Sequence, residues 1–304
     1  MSTIEKTFMN GDVIIREGDS AETFFYLLEG NVGIYKNYEK DDQVQLRILK
    51  PGQYFGEMAI IETYPRSTSV VAEGDVKVEE IPAEELNEYF KVNPDKIILI
   101  MQQLGTRLKE MTTDLDEAKR MLTEQRSAGS SKKYDGFFQQ MVKRSIFTYS
   151  KNIQIEKPSA EALREAAEAV AKESKDDNNV ETYKKGTIIF KQGEVGKCMY
   201  IVHGGEVGIY NNYGAYGEMK LTELFPVACF GEMGMISEDA RSATAVSESD
   251  ETYCEIIKPE DLKDLFTTCP AKVDMILKHL SYRLRSITYD YFNACKEIYE
   301  NSER

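Results

Sequence analysis

The chain repeats itself. Gly11, Gly18, Gly30, Gly33, Pro51, Gly56 and Arg66 return as Gly186, Gly193, Gly205, Gly208, Pro226, Gly231 and Arg241, a constant offset of 175 residues. The two copies align without a gap from Gly11 to Glu73, and about a third of the aligned positions are identical. A register this long means that one domain occurs twice, and 304 residues are enough for two separate cores. Any fold proposed for one copy must therefore suit the other.

Each copy opens with short strand-like runs set between turn signals. In the first, Val13-Ile14-Ile15 leads to Glu17-Gly18-Asp19. Phe24-Phe25-Tyr26-Leu27-Leu28 leads to Glu29-Gly30-Asn31, and Val32-Gly33-Ile34-Tyr35 follows. Gln43 to Leu49 alternates polar and apolar residues, as a half-buried strand does. Short strands punctuated by Gly and Asp or Asn predict a small antiparallel sandwich or barrel. The pattern then turns helical. Ile97, Met101, Leu104, Leu108, Met111, Leu115, Ala118 and Leu122 alternate four-three spacing, and so do Val273, Leu277, Leu280, Leu284, Ile287, Tyr291, Ala294 and Ile298. Sustained spacing of this kind is a helix-pairing seam. The first half of each helix is expected on its own barrel. The second half outruns any barrel of this size and calls for a helical partner. Arg126 to Lys133 is a linker signal, with helical segments expected at Gly136–Val142 and from Pro158. The expected organisation is a first domain over 1–125, a partly helical linker over 126–180 and a second domain over 181–304.

Composition excludes several functions. Fifty-two acidic against 38 basic residues leave a net charge of −14, which argues against nucleic acid. The longest strongly apolar run, Ile97 to Met101, is far too short to span a bilayer, and Met1 to Lys6 has no apolar core for a secretion signal. The five cysteines form no CxxC, an odd count that suits reduced thiols in a cytoplasm. Two histidines, His203 and His279, cannot supply the converging ligands of a cupin-type metal enzyme, and both are expected to be structural.

The chemistry concentrates in one repeated stretch. Phe55-Gly56-Glu57-Met58-Ala59-Ile60-Ile61, then Pro65-Arg66-Ser67, returns as Phe230-Gly231-Glu232-Met233-Gly234-Met235-Ile236, then Ala240-Arg241-Ser242. Glycine lets backbone approach a ligand, and the free N–H groups opening a short helical turn suit an anion. An arginine from the next strand adds a fork of donors that fits phosphate. The glutamate only accepts, so it prefers a hydroxyl. Together these suit a sugar phosphate with a free hydroxyl beside the phosphate. The stretch resembles the phosphate-binding cassette of cyclic-nucleotide-binding domains. That resemblance implies a mostly β fold with flanking α: two antiparallel β-barrels of jelly-roll (double-stranded β-helix) type, each followed by a long C-terminal helix. It implies that Glu57 and Glu232, after Gly56 and Gly231, hold the ribose 2′-hydroxyl, and that Arg66 and Arg241 hold the cyclic phosphate. It also implies that the N–H groups of Ala59 and Gly234 reach phosphate and that Ser67 and Ser242 contact phosphate or base. Tyr289, Tyr291 and Phe292 fall where the family often places an aromatic lid; ordinary seam packing accounts equally for Tyr291.

Both copies keep the Glu and the Arg, each an awkward charge in an empty pocket, which favours binding in both. The second copy replaces Pro65 by Ala240 after Ser237, Glu238 and Asp239, and Gly52 by Val227, so the first site is expected to be the tighter. The resemblance implies cAMP or cGMP as the ligand, and no cofactor and no turnover are expected, because no catalytic constellation is visible. The implied protein is a cytoplasmic sensor that signals to an unidentified effector through helix pairing, either between two chains as a homodimer or within one chain. A ligand-free scaffold is the alternative. A transcription factor would need a helix-turn-helix after the long helix, and the acidic chain ends at Arg304, soon after the seam. A kinase regulatory subunit suits the tandem domains, but neither a basic inhibitor sequence nor a docking helix precedes the first barrel.

Overall fold

The computed structural model describes residues 4–41, 43–61, 65–128, 165, 169–170, 179–236 and 240–303. The first copy runs β1 (Ile4–Phe8), β2 (Val13–Ile15), β3 (Thr23–Lys36), β4 (Val44–Leu49), β5 (Tyr54–Phe55), α1 (Glu57–Ile61) and β6 (Ser69–Pro82). A 3₁₀ turn (Ala83–Glu85), α2 (Leu86–Val92) and α3 (Pro94–Ala128) complete it. The second runs β7 (Val180–Lys184), β8 (Ile188–Phe190), β9 (Met199–Gly204), β10 (Val207–Asn211), β11 (Met219–Leu224) and β12 (Cys229–Phe230). It continues through α4 (Glu232–Ile236), β13 (Thr244–Ser247), β14 (Glu251–Ile257), α5 (Pro259–Thr268) and α6 (Pro270–Glu303).

The sheets of the two copies differ in how their long strands are cut. In the second, one face has the order β11-β10-β13-β8 and the other β12-β9-β14-β7. In the first, β3 and β6 pass from one face to the other without ending. The C-terminal part of β3 pairs with β4 and with the start of β6, which also carries β2. Its N-terminal part pairs with β5 and with the end of β6, which carries β1. The crossing point is marked by register shifts on either side of Glu29 and by Gly30 at φ +81°, matched by Gly205 at φ +78° between β9 and β10. A Cβ at either glycine would strike the backbone of the facing strand, Asp75 or Glu251, so glycine is required there. The described strands thus form the expected antiparallel jelly roll as two four-stranded faces rather than a closed ring. Ile15, Phe25, Leu27, Val32, Leu49, Phe55, Val70, Val76 and Val78 from both faces fill the first core. Tyr200, Val202, Val207, Phe230, Ala245 and Cys254 fill the second.

The compact units do not follow chain order. One joins the first sheets, through Tyr89, with α3 from Arg107 and α6 from Ser281. The other joins Phe90–Thr106 with the second sheets and α6 as far as Leu280. The first half of α3 therefore groups with the second unit rather than with its own barrel. The second half of the seam finds its partner within the chain. Leu115, Ala118, Met121 and Leu122 of α3 share a buried cluster with Tyr291, Ala294, Cys295 and Ile298 of α6. Arg126 reaches Glu297 at 2.7 Å beside it. The linker helices expected at Gly136–Val142 and from Pro158 lie outside the described residues, apart from Glu165, Ala169 and Val170, which are helical.

In the second unit a charged cluster ties strand to helix. Glu255 of β14 takes Lys272 Nζ of α6 at 2.7 Å and His203 Nε2 of β9 at 2.9 Å. Burial pushes the Glu255 carboxyl up, but His203 and Lys272 outweigh it and hold the group below its ordinary 4.5. A depressed carboxyl stabilises the fold fully above its unfolded value and loses that contribution as pH falls through the folded one. Wild type should therefore exceed Glu255→Gln in stability at neutral pH, and urea melts should show the difference shrinking steadily below about pH 4.5. Val227 provides a second check. It sits at φ +82°, where its counterpart Gly52 sits at φ +91°, and both donate their N–H to a strand carbonyl, that of Val202 or of Leu27. A β-branched side chain is strained there. Val227→Gly should stabilise the protein by about 1 kcal/mol in chemical denaturation.

Candidate functional site: two repeated Gly-Glu and Arg cassettes

Each cassette is built from three consecutive choices in sequence. Phe55 and Phe230 end a strand inside the core, stacked on Phe25 and Tyr200 with ring centroids 5.1 Å apart in both cases. Gly56 and Gly231 then turn the chain at φ +77° and φ +74°. Their carbonyls face inward, where Arg66 Nη1 donates to Gly56 at 2.7 Å and Arg241 Nη1 donates to Gly231. A Cβ at either glycine would lie 2.7 Å from that nitrogen. The glycine is thus needed both for its backbone angle and for the close approach of the arginine. Glu57 and Glu232 follow as the first residues of α1 and α4, five-residue helices whose opening N–H groups have no intrahelical acceptor.

The arginines arrive from the segments before β6 and β13. Backbone bonds fix their place: Arg66 N–H to Asp19 O at 2.9 Å, and Arg241 N–H to Glu194 O at 2.8 Å. The second Nη of each donates to a carbonyl, that of Thr23 for Arg66 and that of Cys198, at 2.8 Å, for Arg241. Arg66 is 7% exposed and Arg241 5%. Burial lowers the Arg66 pKa, opposed by the carboxylates of Glu57 and Asp19. Arg241 Nε is buried without a partner. A ring of carbonyl acceptors with an unspent buried N–H is an arrangement in which an anion can take over guanidinium donors.

The glutamates are also withdrawn from water, Glu57 at 4% exposed and Glu232 at 1%. Glu57 is paired with Arg107 of α3 at 2.6 Å. Ala59 and Gly234 lie buried inside the short helices, while Ser67 and Ser242 are exposed just beyond the arginines. All ten residues singled out in sequence therefore fall in two matching clusters, one in each unit. Glu238 and Asp239 lie outside the described residues.

Sequence reasoning did not single out Arg107. It recurs as Arg283, 176 residues on, at the offset that relates the two seams, so the repeat carried the signal. Lys36 was missed too. It is buried, 2.7 Å from Glu17 and donating to the Ser67 carbonyl at 2.8 Å, and so pins the chain just after Arg66. Its counterpart is Asn211. Tyr291 packs in the α3–α6 cluster, the seam role rather than a lid. Among the described residues no group of three or more His, Cys, Asp or Glu could hold a metal ion, and no helix is long and apolar enough to cross a membrane.

The family model for the cyclic nucleotide-binding domain matches residues 5–93 and 180–269, so it covers both cassettes. The chain belongs to the cyclic nucleotide-binding domain family. Among curated members, the cAMP-dependent protein kinase type II regulatory subunit of Drosophila melanogaster is 38% identical over 73 residues, 24% of this chain and 19% of that protein. The human cGMP-dependent protein kinase 2 is 44% identical over 80 residues, 26% of this chain and 10% of that one. The match thus spans a fifth or less of either relative's length. Of solved cyclic nucleotide-binding structures, the regulatory domain of Toxoplasma gondii PKA with cAMP aligns over 90% of this chain and 82% of its own. Its TM-score is 0.28 at 17% identity.

The Glu57–Arg107 pair gives the first cassette a direct test. Removing one partner of a buried pair strands the other charge. Arg107→Ala should lower the stability of the first unit by about 3 kcal/mol, whereas the double variant Arg107→Met/Glu57→Gln should recover most of that loss in the same denaturation experiment.

Proposed function

We propose that the chain is a non-enzymatic cyclic-nucleotide sensor with two binding sites. Glu57 and Glu232 take the ribose 2′-hydroxyl. Arg66 and Arg241 take the cyclic phosphate together with the N–H groups of Ala59 and Gly234, and Gly56 and Gly231 hold the turn. Ser67 and Ser242 stand at the rim toward phosphate or base. The observation that carries the reading is the Glu57–Arg107 ion pair, because it joins the ribose-binding acid to the helix that bears the seam. A hydroxyl donated to Glu57 changes the partner set of Arg107. Any resulting shift of α3 is felt where Leu115, Ala118 and Leu122 meet α6.

The output under this proposal is a rearrangement of the α3–α6 pairing, read by a protein effector. Ser67 and Ser242 suit adenine and guanine alike, and relatives named for both cAMP and cGMP match the chain, so both nucleotides belong in the test; cAMP is the first choice. The five free thiols suit a reducing cytoplasm.

Thermal melts with and without cAMP or cGMP, on wild type and on Arg66→Ala/Arg241→Ala, provide the test. A nucleotide at about a hundred times its dissociation constant should stabilise wild type by about 2.7 kcal/mol, and the folded double variant should not respond. No response from wild type at millimolar concentrations of either nucleotide would leave a ligand-free scaffold.

A further inference from the structure

The two arginines reach matching carbonyls through different surroundings. Phe190, Gly196, Cys198, Tyr200 and Gly234 around Arg241 correspond, at the same offset, to Ile15, Ala21, Thr23, Phe25 and Ala59 of the first copy. These exchanges change the space available to the guanidinium. The Arg241 guanidinium carbon lies 4.2 Å from the centre of the Phe190 ring and 5.8 Å from that of Tyr200. A Cβ on Gly196 would fall among Nε, Cζ and Nη2 of Arg241. A Cβ on Gly234 would lie 2.9 Å from Nη1 and 3.4 Å from Cδ. The first copy carries real methyl groups at both positions, Ala21 and Ala59, and an aliphatic side chain in place of the ring. Arg241 thus lies in a channel cleared by two glycines, over an aromatic face that attracts a cation. It pays for the position with one buried N–H, Nε, that has no acceptor.

Resting on the reading that both copies bind cyclic nucleotide, we infer that Phe190 and Gly196, with Gly234, form a resting seat for Arg241, and that this seat sets the affinity of the second site below that of the first. The nucleotide phosphate supplies the acceptor that Nε lacks. To engage it fully, the guanidinium must leave the Phe190 ring, and the lost cation–π attraction is subtracted from the binding. Phe190 and Gly196 are positioning residues: they act through Arg241 and need not touch the ligand. The first copy, with Ile15 and Ala21, lacks both the aromatic face and the cleared space.

The experiment installs the residues of one copy in the other, using the full chain. In an Arg66→Ala background, where only the second site reports, cAMP dissociation constants are measured by calorimetry for the parent, Phe190→Ile, Phe190→Ile/Gly196→Ala and Phe190→Tyr. The Ile variants should bind about tenfold more tightly, while Tyr, which keeps an aromatic face, should match the parent. In an Arg241→Ala background, Ile15→Phe/Ala21→Gly should weaken the first site by a similar factor. Phe190→Ile alone carries the test where the double variant does not fold. Unchanged or weaker binding in folded Ile variants would overturn the inference, as would equal tightening by Ile and Tyr, which would indicate relief of strain. A parent second site too weak to detect still decides the matter, since the Ile variants then either gain binding or do not. If the unaltered chain binds neither cAMP nor cGMP at either site, the sensor reading itself fails and the inference falls with it.

Discussion

A carboxylate taken out of water needs a counter-charge, and much of the first unit is arranged so that Glu57 has one. Glycine at a positive φ turns the chain into the core, a two-residue strand anchors the turn through Phe55, and the short α1 presents the acid. Arg107 then comes from a helix remote in sequence to meet it at 2.6 Å. Separately, Arg66 clasps the carbonyl of the turn itself. Two arginines from different elements thus hold one small loop, one by its backbone and one by its acid. Under the proposed function, a ligand offering a phosphate and a hydroxyl addresses both groups at once, which gives a binding event in so small a loop a route to a 35-residue helix.

Much of this was legible in the sequence, for physical reasons. The constant offset of 175 could arise only from a duplicated fold, and glycines kept at φ > 0 positions recorded its turns. The ten cassette residues were readable because each answers a local need: a tight turn, an acceptor, a donor fork. Prolines open α3, α5 and α6, positions where their missing N–H breaks no helical hydrogen bond. What could not be read locally was pairing over distance. Four-three spacing announces a seam but does not name the helix on the other side; that α3 from Leu115 meets α6 at Tyr291 to Ile298 is a property of the folded chain. Arg107 escaped notice for the same reason. On a helix rich in charge, only its position beside a buried acid distinguishes it. The grouping of Phe90–Thr106 with the second sheets likewise depends on packing that no local pattern encodes.

The copies differ more around the cassette than within it. The Glu, the Arg and the Ser are retained, whereas Lys36 has become Asn211, Ile15 has become Phe190, and Gly52 has become Val227 at the same left-handed backbone position. Such changes keep the recognition chemistry and alter its energetic background: how firmly the segment after the arginine is tethered, where the guanidinium rests and how much strain the loop before β12 stores. Two sites of one chemistry and unequal background would respond over different ranges of the same nucleotide.

Hydrogen exchange along the seam, in wild type and in Arg107→Met at saturating cAMP, tests most directly whether the cassette speaks to the helices. The account predicts that nucleotide changes protection over residues 107–128 and 281–303 in wild type. It predicts that the change is lost or much reduced in Arg107→Met even though that variant still binds. Saturated wild type with unaltered exchange in both stretches, or an undiminished response in Arg107→Met, would contradict it.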